Sequence, residues 1–197
     1  MNYFDCHADT LTEIPLSENL MHNTCCLDLE RVRRFTSHYT QIFAVWMDQE
    51  KVLQSRVSAE DAFQEAYQRS MRLMLEQSAY LKWCQNADDM KEAHAQGKAA
   101  VFLAVEDVSV MGSLAGQIRE LGFRFAMLTW NYENAFGCGA VTDQSKGLTT
   151  EGREMAKQLL DQQMILDISH LSDQGVEDLF QLTDRPVIAS HSNVREV

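Results

Sequence analysis

The sequence predicts an α/β fold built on parallel strands. Short apolar runs rich in β-type residues alternate with helical patterns, at ~30 residues per unit. Several runs are almost continuously apolar, such as Ala-Ala-Val-Phe-Leu-Ala-Val at 99–105, which suits strands buried on both faces. A doubly wound sheet and a barrel both satisfy this rhythm. The phosphate-loop and dinucleotide fingerprints are absent, so nothing favours a nucleotide-binding sheet.

In chain order, the strand candidates are 3–7, 40–47, 99–106, 123–130, 164–170 and 186–191. The first helix candidate starts at Ser58. Asp61 follows three residues later, a capping box with Asp in place of Glu. Phe63, Tyr67, Met71, Met74, Leu75 and Leu81 keep a helical period, predicting a helix to about Trp83 or Cys84. A shorter helix is predicted over 113–121, closed by Gly122. Thr149 or Thr150 caps a helix to about Gln162, and Ser172 or Asp173 caps another ending near Leu182. The segment 193–197 reads as the start of one more. Residues 131–147, with Gly137, Gly139 and Gly147, form a long connection after a strand's C-terminal end. Active sites of α/β folds lie there, so this connection is a candidate lid.

Composition narrows the class of function. The chain has 197 residues, 45% hydrophobic and 23% charged, enough for one globular domain over 1–197. A net charge of −12 opposes nucleic-acid binding, which needs clustered Lys and Arg. No apolar run approaches the ~20 residues of a membrane helix. The first strand begins almost at Met1, leaving no room for a signal peptide. Cysteines 6, 25, 26, 84 and 138 are odd in number and lack zinc-type Cys-x-x-Cys spacing. They read as reduced thiols of a cytoplasmic protein.

Four apolar runs end in metal-capable residues. The first ends in His7-Ala8-Asp9, the third in Glu106-Asp107, the fifth in Asp167-Ile168-Ser169-His170 and the sixth in His191. In an extended strand, residues i and i+2 point to one side, so His7 and Asp9 converge. In a parallel barrel all C-terminal strand ends share one face. Nitrogen and oxygen ligands without thiolate suit hydrolytic zinc. Five such ligands exceed what one catalytic zinc takes and suit two metals with a bridging carboxylate. Each residue alone has a plainer reading: a hydrogen-bonded His, or in Glu106 a helix-starting acid. Asp167 faces away from His170 and reads as a supporting residue. His22, His38 and His94 are given no metal role.

These segments carry a resemblance. Asp5-Cys6-His7-Ala8-Asp9, Val105-Glu106-Asp107, Leu128-Thr129-Trp130-Asn131, Gly147-Leu148-Thr149, Ile165 to Ser172 and Pro186 to Ser192 occur in the order and spacing of the membrane (renal) dipeptidase family of zinc peptidases, bacterial branch. The resemblance implies a (β/α)8 TIM-barrel fold of the metal-dependent hydrolase type, with about six β/α units here. It implies two Zn2+ ions: His7 and Asp9 on one, His170 and His191 on the other, Glu106 bridging. The implied reaction is hydrolysis of dipeptides, with D-residues tolerated at the C-terminal position, through a zinc-bridging hydroxide.

Two departures from the family matter. Where many members have a substrate-touching His, this chain has Trp130, so Trp130 and Asn131 are the candidate substrate contacts. The family's Arg after the last His and its final-strand catalytic Asp would lie past Val197, so an incomplete barrel is expected. The alternatives are a catalytically incomplete metal-binding fragment and another amidohydrolase-type enzyme. Against the latter, His7-x-Asp9 departs from the His-x-His start of those enzymes, and no Lys lies in 123–131. The expected partner is a dipeptide, with neither nucleic acid nor membrane, and association of exposed strand edges would make a homo-oligomer.

Overall fold

The computed structural model describes residues 2–193, apart from the side chains of 51 and 53. The helix start read at 193–197 lies outside the described residues beyond Asn193. The chain divides into two compact units, 1–104 and 105–197.

The first unit opens with β1 (Asn2–Ala8), a short helix α1 (Thr10–Glu13) and α2 (Leu29–Arg33), then β2 (His38–Val45). Helices α3 (Gln49–Gln54) and α4 (Ala59–Glu76) precede β3 (Leu81–Trp83). The unit closes with α5 (Ala87–Ala95) and β4 (Ala99–Val105), whose last residue begins the second unit. β1 runs parallel to β2, with Tyr3 opposite Tyr39. β3 runs parallel to β4, with Leu81 opposite Ala99. The order is β1-β2-β4, with β3 also on β4. β2 is buried from Tyr39 to Val45 and β4 along its whole length. Phe63 and Met74 of α4 and Leu11 of α1 are buried with them.

Ser58 caps α4 as the capping-box spacing predicts, accepting the Asp61 N–H at 3.1 Å. The helix ends earlier than predicted, however. Leu81 and Trp83 extend the helical period of α4, but they also flank Lys82 with strand period, and pairing with β4 decides between the two. Asn86 accepts the N–H groups of Asp88 and Asp89 to start α5, which hydrophobic periodicity had not revealed.

In the second unit a 3-10 helix (Val108–Gln117) replaces the predicted helix over 113–121. Gly112 breaks it with φ +53°, and Gly122 adopts φ +89°, a conformation open mainly to glycine. β5 (Phe123–Ala126) follows, then α6 (Thr150–Asp161), β6 (Ile165–Leu166) and α7 (Asp173–Leu182). β5 and β6 are parallel. The run 186–191 joins in parallel sense through Ile188 alone, which bridges Asp167. Its N–H donates to Leu166 O at 3.0 Å and its C=O accepts from Ile168 at 2.8 Å. Thr149 and Ser172 cap α6 and α7 through the N–H groups of Gly152 and Gly175.

Candidate metal centre

In the first unit, β1 delivers two of the predicted ligands. Its register with β2 breaks between Asp5 and Ala8, and Asp9 lies past the strand, at the N-cap position of α1 but with no side-chain capping bond. The pair still converges: His7 Nε2 lies 3.2 Å from Asp9 Oδ1. The His7 N–H donates to Asp5 Oδ1 at 3.1 Å. A cavity of about 670 Å³ opens here, lined by Asp5, His7, Asp9, Glu13, Cys25 and Tyr39 among others. Burial, with Glu18 and Glu13 behind it, pushes the Cys25 thiol up.

The second unit gathers the other three. Glu106 stands one residue past β4 and is 4% exposed. His170 follows β6 in the left-handed region, at φ +66°, a strained conformation of the kind that gathers at functional sites. His170 Nε2 lies 2.9 Å from Glu106 Oε1 and 2.6 Å from His191 Nε2. Glu106 and His191 also offer ligand atoms within 4.8 Å of each other. Glu106 Oε1 and His191 Nε2 therefore both approach His170 Nε2, a grouping of N and O donor atoms that a shared cation would stabilise. Imidazole nitrogens with a carboxylate oxygen are a donor set of the zinc type. A cavity of about 590 Å³ adjoins it, lined by Ser169, His170, His191, Gln144 and Asp173 among others.

Asp167 supports the two histidines, as its outward register predicts. Its Oδ1 accepts the N–H of Ser169 at 3.0 Å and of Ser190 at 3.2 Å. The His191 N–H donates to Ser169 Oγ at 3.2 Å. One carboxylate thus ties together the two backbones that carry His170 and His191. Asn131 Oδ1 lies 2.8 Å from His170 Nδ1, and the Trp130 ring centre lies 6.2 Å from that of His170.

The connection after β5 is strapped down, unlike a free lid. Asn134 donates to Asp107 Oδ1 at 2.8 Å and Leu128 O at 2.9 Å. Its Oδ1 accepts the N–H groups of Phe136 and Gly137. Ala140 N–H donates to His170 O at 2.8 Å, and Ser172 Oγ donates to Lys146 O at 2.6 Å. At the far end, Asp178 of α7 accepts the Leu148 N–H at 2.9 Å and pairs with Arg153 at 2.7 Å. Burial pushes the Asp178 carboxyl up, but Leu148, Gln174 and Arg153 together hold it below the usual carboxylate range. The sequence reading missed Asn134 and Asp178. A buried charge on the apolar side of α7 was the available signal for Asp178.

The family model described as membrane dipeptidase (Peptidase family M19) matches residues 1–197. Dipeptidase tcpJ of Claviceps purpurea (strain 20.1) is 29% identical over 143 residues, covering 69% of this chain and 33% of that protein. Among solved structures, the probable dipeptidase PvdM from Pseudomonas aeruginosa superposes with a TM-score of 0.79 at 17% identity, covering 100% of this chain and 53% of that one. A metallo peptidase from Rhodobacter sphaeroides, solved with a phosphinate mimic of the dipeptide L-Ala-D-Ala, has a TM-score of 0.72 at 22% identity, covering 98% and 65%. The chain thus spans between a third and two thirds of these three proteins. The structural likeness shows the fold: a parallel β/α barrel type, of which this chain supplies a part.

Proposed function

From the premise that the chain belongs to the membrane dipeptidase family, we propose that the protein is a zinc-dependent dipeptidase with a two-metal centre. His170 and His191 would hold one ion and His7 and Asp9 the other, with Glu106 as the carboxylate they would share. The convergence of Glu106 Oε1 and the two Nε2 atoms carries this reading. The His7–Asp9 pair at 3.2 Å supports the other half.

When bound, zinc supplies Lewis acidity toward the scissile carbonyl and a water activated near neutral pH. The chain's own residues orient what it acts on. Glu106 brings negative charge to a buried position, and the Asp167 tie keeps His170 and His191 in fixed relation. Trp130 offers an aromatic wall beside His170, and Asn131 lies on the same rim. The proposed substrate is a dipeptide, with a D-residue accepted at its C-terminal position; the L-Ala-D-Ala mimic in the Rhodobacter protein supports that choice. A reducing cytoplasmic setting agrees with the odd number of cysteines. Among the described residues no helix is long and apolar enough to cross a membrane.

The test is metal analysis of the purified whole protein, with an assay on L-Ala-D-Ala and L-Ala-L-Ala. Zinc is expected at about two per chain, with cleavage lost on chelation and restored by zinc. Absence of bound metal under zinc-replete conditions would sink the proposal.

A further inference from the structure

Glu106 reaches its place through a strained corner of the chain. β4 ends at Val105, and both following residues are buried, Glu106 at 4% and Asp107 at 2% exposure. Asp107 adopts φ +72°, a region that non-glycine residues seldom enter. Asp tolerates it when its short side chain bonds locally. The Asp107 carboxylate does so: Oδ1 accepts the Ser109 N–H at 2.9 Å and the Ser109 hydroxyl at 2.5 Å. Those two bonds lie within the corner and do not tie it to the rest of the unit.

Two segments distant in sequence supply that tie. Met127 N–H donates to Val105 O at 3.0 Å, and Met127 O accepts the Val108 N–H at 2.9 Å. One residue thus grips the backbone on either side of the Glu106–Asp107 pair. Asn134 adds a grip on the side chain. Its Nδ2 donates to Asp107 Oδ1 at 2.8 Å and to Leu128 O at 2.9 Å. This orientation of the amide is fixed, because its Oδ1 accepts the N–H groups of Phe136 at 2.7 Å and Gly137 at 3.1 Å, and only the oxygen of a carboxamide accepts.

We propose that Asn134 is a positioning residue, which holds Asp107 in the left-handed region and so aims the Glu106 carboxylate at His170, 2.9 Å away. Relaxation of Asp107 to negative φ would rotate the Glu106–Asp107 peptide and shift the side chain in front of it. The conformational part stands on the Asn134–Asp107 contact and the φ angle; the consequence for zinc rests on the metal reading above. Outer partners that orient a ligating group typically contribute about 10–100-fold in metal affinity.

Two measurements on the purified whole protein test it. Crystal structures of the metal-free wild type and variants compare the corner directly. Asp107 is expected at positive φ in wild type and to leave that region in Asn134→Ala, with the Glu106 carboxylate displaced from His170. Asn134→Asp keeps the acceptor for Phe136 and Gly137 but sets a second carboxylate against Asp107. It is expected to relax the corner in the same way, and serves alone if the alanine variant does not fold. Zinc competition against a chromophoric chelator is expected to show about 10–100-fold weaker binding in both variants. Adding Asp107→Gly to Asn134→Ala is expected to recover part of that loss, because glycine enters positive φ without support. The double variant should still melt below wild type, so its recovery separates aiming from stability. A wild-type corner at negative φ, or a corner and Glu106 position unchanged in the variants, overturns the proposal. So do variants that melt lower yet keep wild-type zinc affinity, and a loss of affinity that Asp107→Gly does not recover. Relaxed corners in a protein without zinc affinity would remove the zinc reading and uphold the positioning role.

Discussion

At the scale of single residues, Glu106 is the sharpest conflict between stability and chemistry. A carboxylate only 4% exposed carries a large desolvation cost. Glu106→Gln keeps the shape and removes the charge. We expect it to weaken zinc binding by about 100-fold or more, exceeding the usual effect of outer partners. The metal-free protein should melt at the same temperature or higher, the pattern of a residue kept for function. Calorimetry of both forms without metal checks this; a fall of several degrees would assign Glu106 a structural role instead. All five proposed ligands were legible as polar ends of apolar runs. The Asp167 tie was legible only in outline, because strand register shows which way a side chain faces and not what it meets.

Among elements, the 131–148 connection is the least predictable from local sequence. Its glycines suggested mobility, but Gly139 serves close approach. Gly139→Ala would drive a methyl into Trp130 O at 2.1 Å, so the backbone must move. We expect a loss of about 1–3 kcal/mol, typical of overpacking, read as a lower denaturation midpoint with faster proteolysis between 131 and 148. Asp178→Asn tests the other anchor. It removes a charge paired with Arg153 and hydrogen-bonded to Leu148, for an expected loss of about 1–3 kcal/mol at pH 7. Because the folded carboxyl titrates below its ordinary value, its stabilisation is full above about pH 4 and fades as pH falls through the folded pKa. The gap in melting temperature between wild type and Asp178→Asn should therefore narrow below about pH 4; a constant gap would refute the charge contribution. The region 77–95 teaches a related lesson. The helical period of α4 runs on into β3, and only the parallel partner at 99–101 makes Leu81 to Trp83 a strand.

For the whole molecule, metal binding and folding are linked. A ligand that binds only the native state at 100 times its Kd stabilises it by about 2.7 kcal/mol. For a chain of this size that corresponds to about 5–10 °C in melting temperature. Zinc is expected to raise the midpoint by that amount and chelation to reverse it. In His170→Ala/His191→Ala the shift should shrink to what His7 and Asp9 alone sustain. An undiminished shift would place the stabilising metal elsewhere. At this scale the sequence was most informative, since the alternation of apolar runs and capped helices is repeated along the chain.

The alternation that makes this an α/β chain, the capping residues Ser58, Thr149 and Ser172, and the metal-capable residue types at the ends of the apolar runs were all legible in the sequence alone. Each is a local pattern, written within a few residues. Tertiary structure decided which ring nitrogen of His170 faces Asn131, how Asp167 joins two backbones, and that the 131–148 connection is strapped rather than free. Those contacts join residues about 20 to 40 positions apart. Hydrophobic periodicity decays within one element, so no local signal reaches that far.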